Sequence, residues 1–194
     1  GYPLALLKAS ASGILHRKKA EMNLDEQVEH RNMCRLHLVD APLSTAFRFE
    51  ANASSNLNEI LHLAGRLSQW ELSGEEKTYY PQDTRFEAGT TRDSTYFEIT
   101  AGDAFMKLNS DQGATKLSAS LSLITDRLMK QYEQQQLDLT VLRPLLPNVN
   151  IQGFIGKQNP IQDLLALQKI KFNEASFSAA TSPAQGLSVN MAMH

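Results

Sequence analysis

The sequence predicts an α+β fold that is predominantly antiparallel β, built of hairpins and a meander, with one amphipathic helix near residues 113–136 and two shorter helices. Three observations carry this. Apolar and polar residues alternate two by two at both ends of the chain and through its middle, which is the rhythm of strands with one wet face. One segment alone departs to spacings of three and four, the rhythm of a helix. Short polar breaks rich in Gly, Pro, Asn and Asp separate the runs and supply turns.

Taken in order, Leu4–Leu7 leads into "KASAS", and after a turn near His16–Lys18 the stretch "KKAEMNLDE" sets Ala20, Met22 and Leu24 against Lys19, Glu21, Asn23 and Asp25. Two such runs across a short break form a hairpin. "MCRLHLVD" offers Cys34, Leu36 and Leu38 on one parity, and "STAFRFEANAS" offers Phe47, Phe49, Ala51 and Ala53. Ser55 or Asn56 is placed to cap a short helix that Gly65 would end, with a strand from Leu67 to Leu72 after it. "DTRFEAGT", "STYFEITAG" and "DAFMKLNS" read as a meander with turns at Thr91–Asp93 and Gly102–Asp103. Leu117, Leu121, Ile124, Leu128 and Tyr132 mark the long helix. A second helix starts at Asp138 and stops near Pro147, weakened by Pro144. "PNVNIQGFIGK" is a strand, and its two glycines point to a bulge or a close backbone approach. Asn159 and Pro160 open a third helix as cap and first helical residue. The chain closes on a hairpin: Ala175, Phe177 and Ala179, then Leu187, Val189, Met191 and Met193, alternate with Ser176, Ser178, Ser188 and Asn190.

A length of 194 residues suits one strand-rich domain over 1–194, with no linker that divides it and no repeat of fixed period. The net charge of −2 and the lack of a polybasic run argue against nucleic acid as a partner. The single cysteine, Cys34, leaves no intrachain disulfide. No apolar run approaches the roughly 20 residues that span a bilayer as a helix. No signal peptide is visible at the start, but the chain opens on Gly1 rather than Met, so this says nothing about location.

The search for chemistry returns little. His30, Cys34 and His37 resemble a metal set, yet on an extended segment His37 faces away from the other two, and a fourth ligand is missing. No G-x-S-x-G elbow serves a nucleophile. "GFIGK" lacks the spacing and the Ser/Thr of a phosphate loop. Glu75 and Glu76 sit in a polar loop. No catalytic residue, metal or cofactor is therefore expected, and a hydrolase with an unrecognised site stands as the enzymatic rival.

The apolar strand faces remain, with two readings. They build a common core covered by the helices, or part of the face stays open as a groove for acyl chains. Phe172, Phe177, Leu187, Val189, Met191 and Met193 are the groove candidates, since methionine adapts to irregular apolar shapes.

"LKASASGILHRKKAEMNLD", "DAPLSTAFRFEANAS", "LHLAGRLSQWELSG", "LRPLLPNVNIQGFIGKQNP" and "ASFSAATSPAQGLSVNMAMH" together resemble the AsmA/TamB-like family of Gram-negative envelope proteins. The resemblance is one of style over most of the chain. It implies a segment of a longer, membrane-anchored periplasmic protein whose strands continue past both ends and form a U-shaped β-groove. It further implies a non-enzymatic part in phospholipid transport or outer-membrane assembly, with acyl chains and outer-membrane assembly proteins as partners. The helix at 113–136 departs from a plain groove and is expected to plug or decorate it. The alternative is a scaffold or protein-binding module of an envelope secretion or pilus apparatus, docking partners by strand addition.

Overall fold

The computed structural model describes residues 7–16, 19–32, 44–74, 77–136, 138–167, 170 and 173–193. Eleven strands belong to one antiparallel sheet. They are β1 (Leu7–His16), β2 (Lys19–Asn32), β3 (Ser44–Ser55), β4 (Leu61–Ser73), β5 (Thr78–Tyr79), β6 (Thr84–Thr90), β7 (Thr95–Ala101), β8 (Ala104–Ser110), β9 (Val149–Ile155), β10 (Ala175–Ser182) and β11 (Gly186–Met193). Their order in the sheet is their order in the chain, except that the two-residue β5 pairs only with the end of β4. The helices are α1 (Ala114–Glu133), α2 (Leu139–Leu142), continued by a 3-10 turn over Arg143–Leu145, and α3 (Pro160–Leu167). The α+β class, the meander, the closing hairpin and the three helices agree with the sequence reading. The strand expected around Cys34–Leu38 and the His30/Cys34/His37 group lie outside the described residues or side chains, as do Glu75 and Glu76.

Register converts alternation into a continuous surface. Side chains directly opposite each other across paired strands share a face. One row runs Ala11, Leu24, Ala51, Gly65, Phe86, Ile99, Met106, Gly153, Phe177, Met191, from β1 to β11. A second runs Gly13, Met22, Ala53, Leu63, Ala88, Phe97, Leu108, Ile151, Ala179, Val189. Neither row contains a polar side chain. The row between them, from Ser12 through Asn23, Asn52, Ala64, Glu87, Glu98, Lys107, Gln152 and Ser178 to Asn190, points to the other side and is hydrophilic except at Ala64. The sheet thus has one apolar and one polar side across its whole width, about 43 Å at the usual spacing between strands.

Local devices keep the rows in step. In β4 an extra residue faces β3, since Arg48 opposes Ser68 while Ala46 opposes Glu71. Gln69 takes φ 51° at this bulge. The bulge brings Trp70 to Thr45, whose Oγ1 accepts from Trp70 Nε1 at 2.9 Å and donates to the Glu71 carbonyl at 3.0 Å. Leu72 beside it is 1% exposed. Two apolar glycines make room for rings. Phe86 leans over Gly65 to stack on Phe49 with centroids 6.0 Å apart, and a Cβ at Gly153 would lie 2.1 Å from the Phe177 ring. The close approach expected of "GFIGK" is therefore this contact.

The short helix expected from Ser55/Asn56 to Gly65 does not form. Asn56 does cap, since its Oδ1 accepts from the N–H groups of Asn58, Glu59 and Ile60 at 3.0, 3.0 and 2.8 Å, but it closes a tight turn. From Leu61 the backbone groups are claimed by β3 and β6, and Gly65 sits in mid-strand. Pairing on both sides outweighs a weak local helix signal.

The helices join the sheet at its two ends. α1 begins where Ala114 N–H donates to Thr90 Oγ1 at 2.8 Å, so its cap is supplied by β6 rather than by its own N-cap residue, Gly113. At the far end Asn159 Oδ1 accepts from Gln162 N–H at 3.0 Å and starts α3, as the Asn-Pro pair indicated. The Asp103 carboxylate fastens this end: it accepts from Lys157 N–H, Gln158 N–H and Asn159 Nδ2 at 2.8, 3.0 and 2.8 Å. Burial raises the Asp103 pKa, but the bonds from Asn159 and the backbone outweigh it and hold the carboxyl below the ordinary aspartate value.

Two outcomes follow from this packing. Gly153→Ala is expected to cost about 1–3 kcal/mol in urea unfolding by displacing the Phe177 ring; Gly153→Ala with Phe177→Leu should cost less than the single glycine variant, and an additive loss would refute the contact. A carboxyl with a depressed folded pKa contributes stability above its unfolded value and loses it as pH falls through the folded one. Asp103→Asn should therefore cost about 1 kcal/mol near pH 7, a figure reduced for solvent screening. The difference from wild type in thermal melts should vanish between about pH 4 and pH 2.

Candidate functional site

The apolar side of the sheet is the feature that asks for an explanation. In a sandwich a second sheet would lie over it. Here every described strand belongs to the one sheet, and β1 and β11 each pair on one side only. Helix α1 buries none of its side chains, so it does not act as a second layer. Among the described residues, the buried apolar side chains are Val28, Leu72, Ala104 and Leu142. The first three lie toward the end of the sheet that carries α3 and Asp103. The central rows are half-buried by their own neighbours, Phe86, Phe97, Ile99 and Ile151 among them, while Met22 and Met106 are exposed. Among the described strand pairs, register places two charged residues on this side, Glu26 opposite Phe49 and Arg31 opposite Thr45.

Five of the six groove candidates lie on this side. Phe177 is half-buried opposite Met191, while Leu187, Val189, Met191 and Met193 are 67, 57, 76 and 71% exposed along the outer strand β11. Phe172 lies outside the described residues. The structure adds residues the sequence reading left among ordinary strand positions: Leu24, Phe86, Phe97, Ile99, Met106 and Leu108 belong to the same two rows. The parity of each strand carried that signal. The alignment of all ten strands did not show until they were paired.

The polar side holds a hollow of about 740 Å³, spanning β1 to β7. Asp25, Glu50, Arg66, Arg85 and Thr100 form one edge of it. Its charges are largely consumed in cross-strand pairs. Arg48 Nη2 donates to Asp25 at 2.7 Å and lies 3.1 Å from Glu50; Arg66 bonds Asp83; Lys107 meets Glu98 at 2.9 Å. The Asp25 hydrogen bond raises the Arg48 pKa. His62 Nε2 lies 3.0 Å from Glu87 Oε1, and Tyr96 Oη donates to the same oxygen at 2.8 Å. The bond to His62, then that from Tyr96, lowers the Glu87 pKa, while donating to Glu87 raises that of Tyr96. These are exposed ladders that hold strand register and solvate one side. The U-shaped trough expected to be apolar inside is therefore hollow on its polar side between β1 and β7, and the apolar side is an open face there. Burial raises the Asp163 pKa on α3, opposed by the charge of Lys77. Among the described residues, no group of three or more His, Cys, Asp and Glu side chains is placed to hold a metal ion, and no helix is long and apolar enough to cross a membrane.

The exposure pattern separates two kinds of position. Val189→Glu with Met191→Glu should leave the melting temperature within about 3 °C of wild type, because both side chains are already in water. Phe97→Glu with Leu108→Glu, mid-sheet and half-buried, should lower it by about 10 °C or more. Equal effects in circular-dichroism melts would mean that β11 is covered.

Compared with family models, curated proteins and solved structures, the chain matches none.

Proposed function

We propose that the chain is a non-enzymatic, AsmA/TamB-like segment of the periplasm or cell envelope that shields phospholipid acyl chains on the apolar side of its sheet. Through this it contributes to lipid transport or outer-membrane assembly. The observation that carries the reading is the pair of unbroken apolar rows crossing ten strands with no second layer of strands over them among the described residues. An apolar face of that width and about 20 Å along the strands exceeds the few hundred Å² that a monomer ordinarily leaves in water. Each methylene that leaves water on such a face is worth about 0.8 kcal/mol. The mechanism is passive: the sheet replaces water along an acyl chain, and the polar side stays solvated through its ion-pair ladders.

A second reading has its own observation. β11 is an outer strand with no charge, proline or bulge along Gly186–Met193, and those are the usual guards of a sheet edge. Such an edge suits a scaffold module that receives a partner's strand.

Extraction and mass spectrometry of the purified protein separate the two. Co-purified phospholipid is expected for wild type, with at least a fivefold drop for Val189→Glu/Met191→Glu. Recovery of wild type free of lipid, together with capture of a strand-forming peptide along β11, would favour the scaffold.

A further inference from the structure

We infer that the end of the sheet bearing α1 is a membrane-docking rim that seats on the surface of a phospholipid bilayer. Register defines this end: Ser55, Leu61, Thr90, Thr95, Ser110, Val149, Thr181 and Leu187 align along it, so the paired ends of β1 and β2, the β3–β4, β6–β7 and β10–β11 turns and the α1–α2 insert all lie there. Most of the exposed large apolar side chains of the molecule gather at this end. Leu15, Leu57, Ile60, Tyr132, Leu139 and Leu187 come from five separate turns or insert positions, and each is at least half exposed. The opposite end instead holds Val28, Leu72 and Ala104 buried.

The β3–β4 turn is built to present its tip. Leu57 takes φ 58°, a left-handed conformation that glycine or asparagine adopts more easily, and its side chain reaches solvent. Asn56 Oδ1 holds the N–H groups of Asn58, Glu59 and Ile60, while Ser55 Oγ accepts from Leu57 N–H and donates to the Ile60 carbonyl.

Three features choose a bilayer over a folded partner. The apolar groups are separate tips between hydrogen-bonded polar turns, which insert singly into lipid but give a protein no continuous patch. Leu61 and Leu187 at the rim belong to the apolar side of the sheet, so the apolar runs of β4 and β11 reach the docking plane, with Ser55, Thr90, Thr95, Ser110 and Thr181 between them. Charge is balanced: on and beside α1, Lys116, Arg127 and Lys130 stand against Asp126, Glu133 and Asp138, so neither headgroup sign is repelled. Tyr132, amphipathic and exposed, suits headgroup depth. An α1 with an apolar arc, low mean hydropathy and no buried side chain has the character of a helix lying in an interface. Docking does not require the sheet itself to carry lipid.

Flotation with extruded vesicles of phosphatidylethanolamine and phosphatidylglycerol tests this. The protein is expected to float with the vesicles and to stay bound in 0.5 M salt, the mark of insertion rather than charge adsorption, "0.5 M" being about five times the ionic strength at which the Debye length is 10 Å. Leu57→Glu/Ile60→Glu and, separately, Met129→Glu/Tyr132→Glu should each lower the floated fraction about tenfold with unchanged circular dichroism. Val189→Glu/Met191→Glu, which removes acyl-chain carriage in the reading above, should float like wild type, so the two ideas fail separately. Wild type left at the bottom of the gradient, release by salt, or unaltered flotation of both rim variants would overturn the inference. So would vesicle-free self-association abolished by Leu57→Glu/Ile60→Glu, which would assign the rim to a second copy.

Discussion

The hydrogen-bond ladder between neighbouring strands is the constraint on which the molecule depends. A sandwich or barrel shares its cohesion between backbone pairing and a packed interior. This chain forms one layer, and among its described residues few apolar side chains are fully buried. Cohesion therefore comes from ten strands paired edge to edge, with cross-strand contacts adding along each face. Register is critical in such a sheet, because a slip of one residue would turn a strand's apolar set to the wet side.

Devices that guard register recur through the structure. The Gln69 bulge lets β4 absorb an extra residue while returning Leu72 to the apolar side opposite Thr45. Arg48 on β3, bonded to Asp25 on β2 and beside Glu50 of its own strand, and Lys107 on β8 opposite Glu98 on β7, each pin two neighbouring strands in step on the polar side. Gly65 and Gly153 admit the Phe86 and Phe177 rings where a side chain would force strands apart. The same arrangement that stabilises the layer leaves its apolar side without a partner layer, so the functional proposal and the stability of the fold rest on one geometry.

The two ends of the sheet are finished differently. Asp103, Asn159 and α3 draw loops together at one end with buried hydrogen bonds and the most buried apolar side chains. The other end carries turns with leucines at their tips and a helix that buries nothing. A sheet closed at one end and apolar at the other has a direction, which bears on how such a module would meet a lipid surface.

By itself the sequence determined the strand and helix content, most turns and the face each strand would turn inward. These are local properties, since alternation in "SFSAATS" or "LSVNMAM" and three-four spacing in Leu117–Leu128 depend only on nearest neighbours in the chain. It misread residues 55–65, where Asn56 signals a cap and only pairing with β3 and β6 makes Leu61 onward a strand. The last hairpin held five of the six candidate residues in plain view, yet Phe86, Ile99 and Met106 joined them only through register. Tertiary structure alone decided that ten apolar faces point the same way, that no second layer of strands covers them among the described residues, and that Thr90 caps α1. Those facts depend on hydrogen bonds and cross-strand neighbours between residues distant in sequence, and no periodicity within a single strand encodes them.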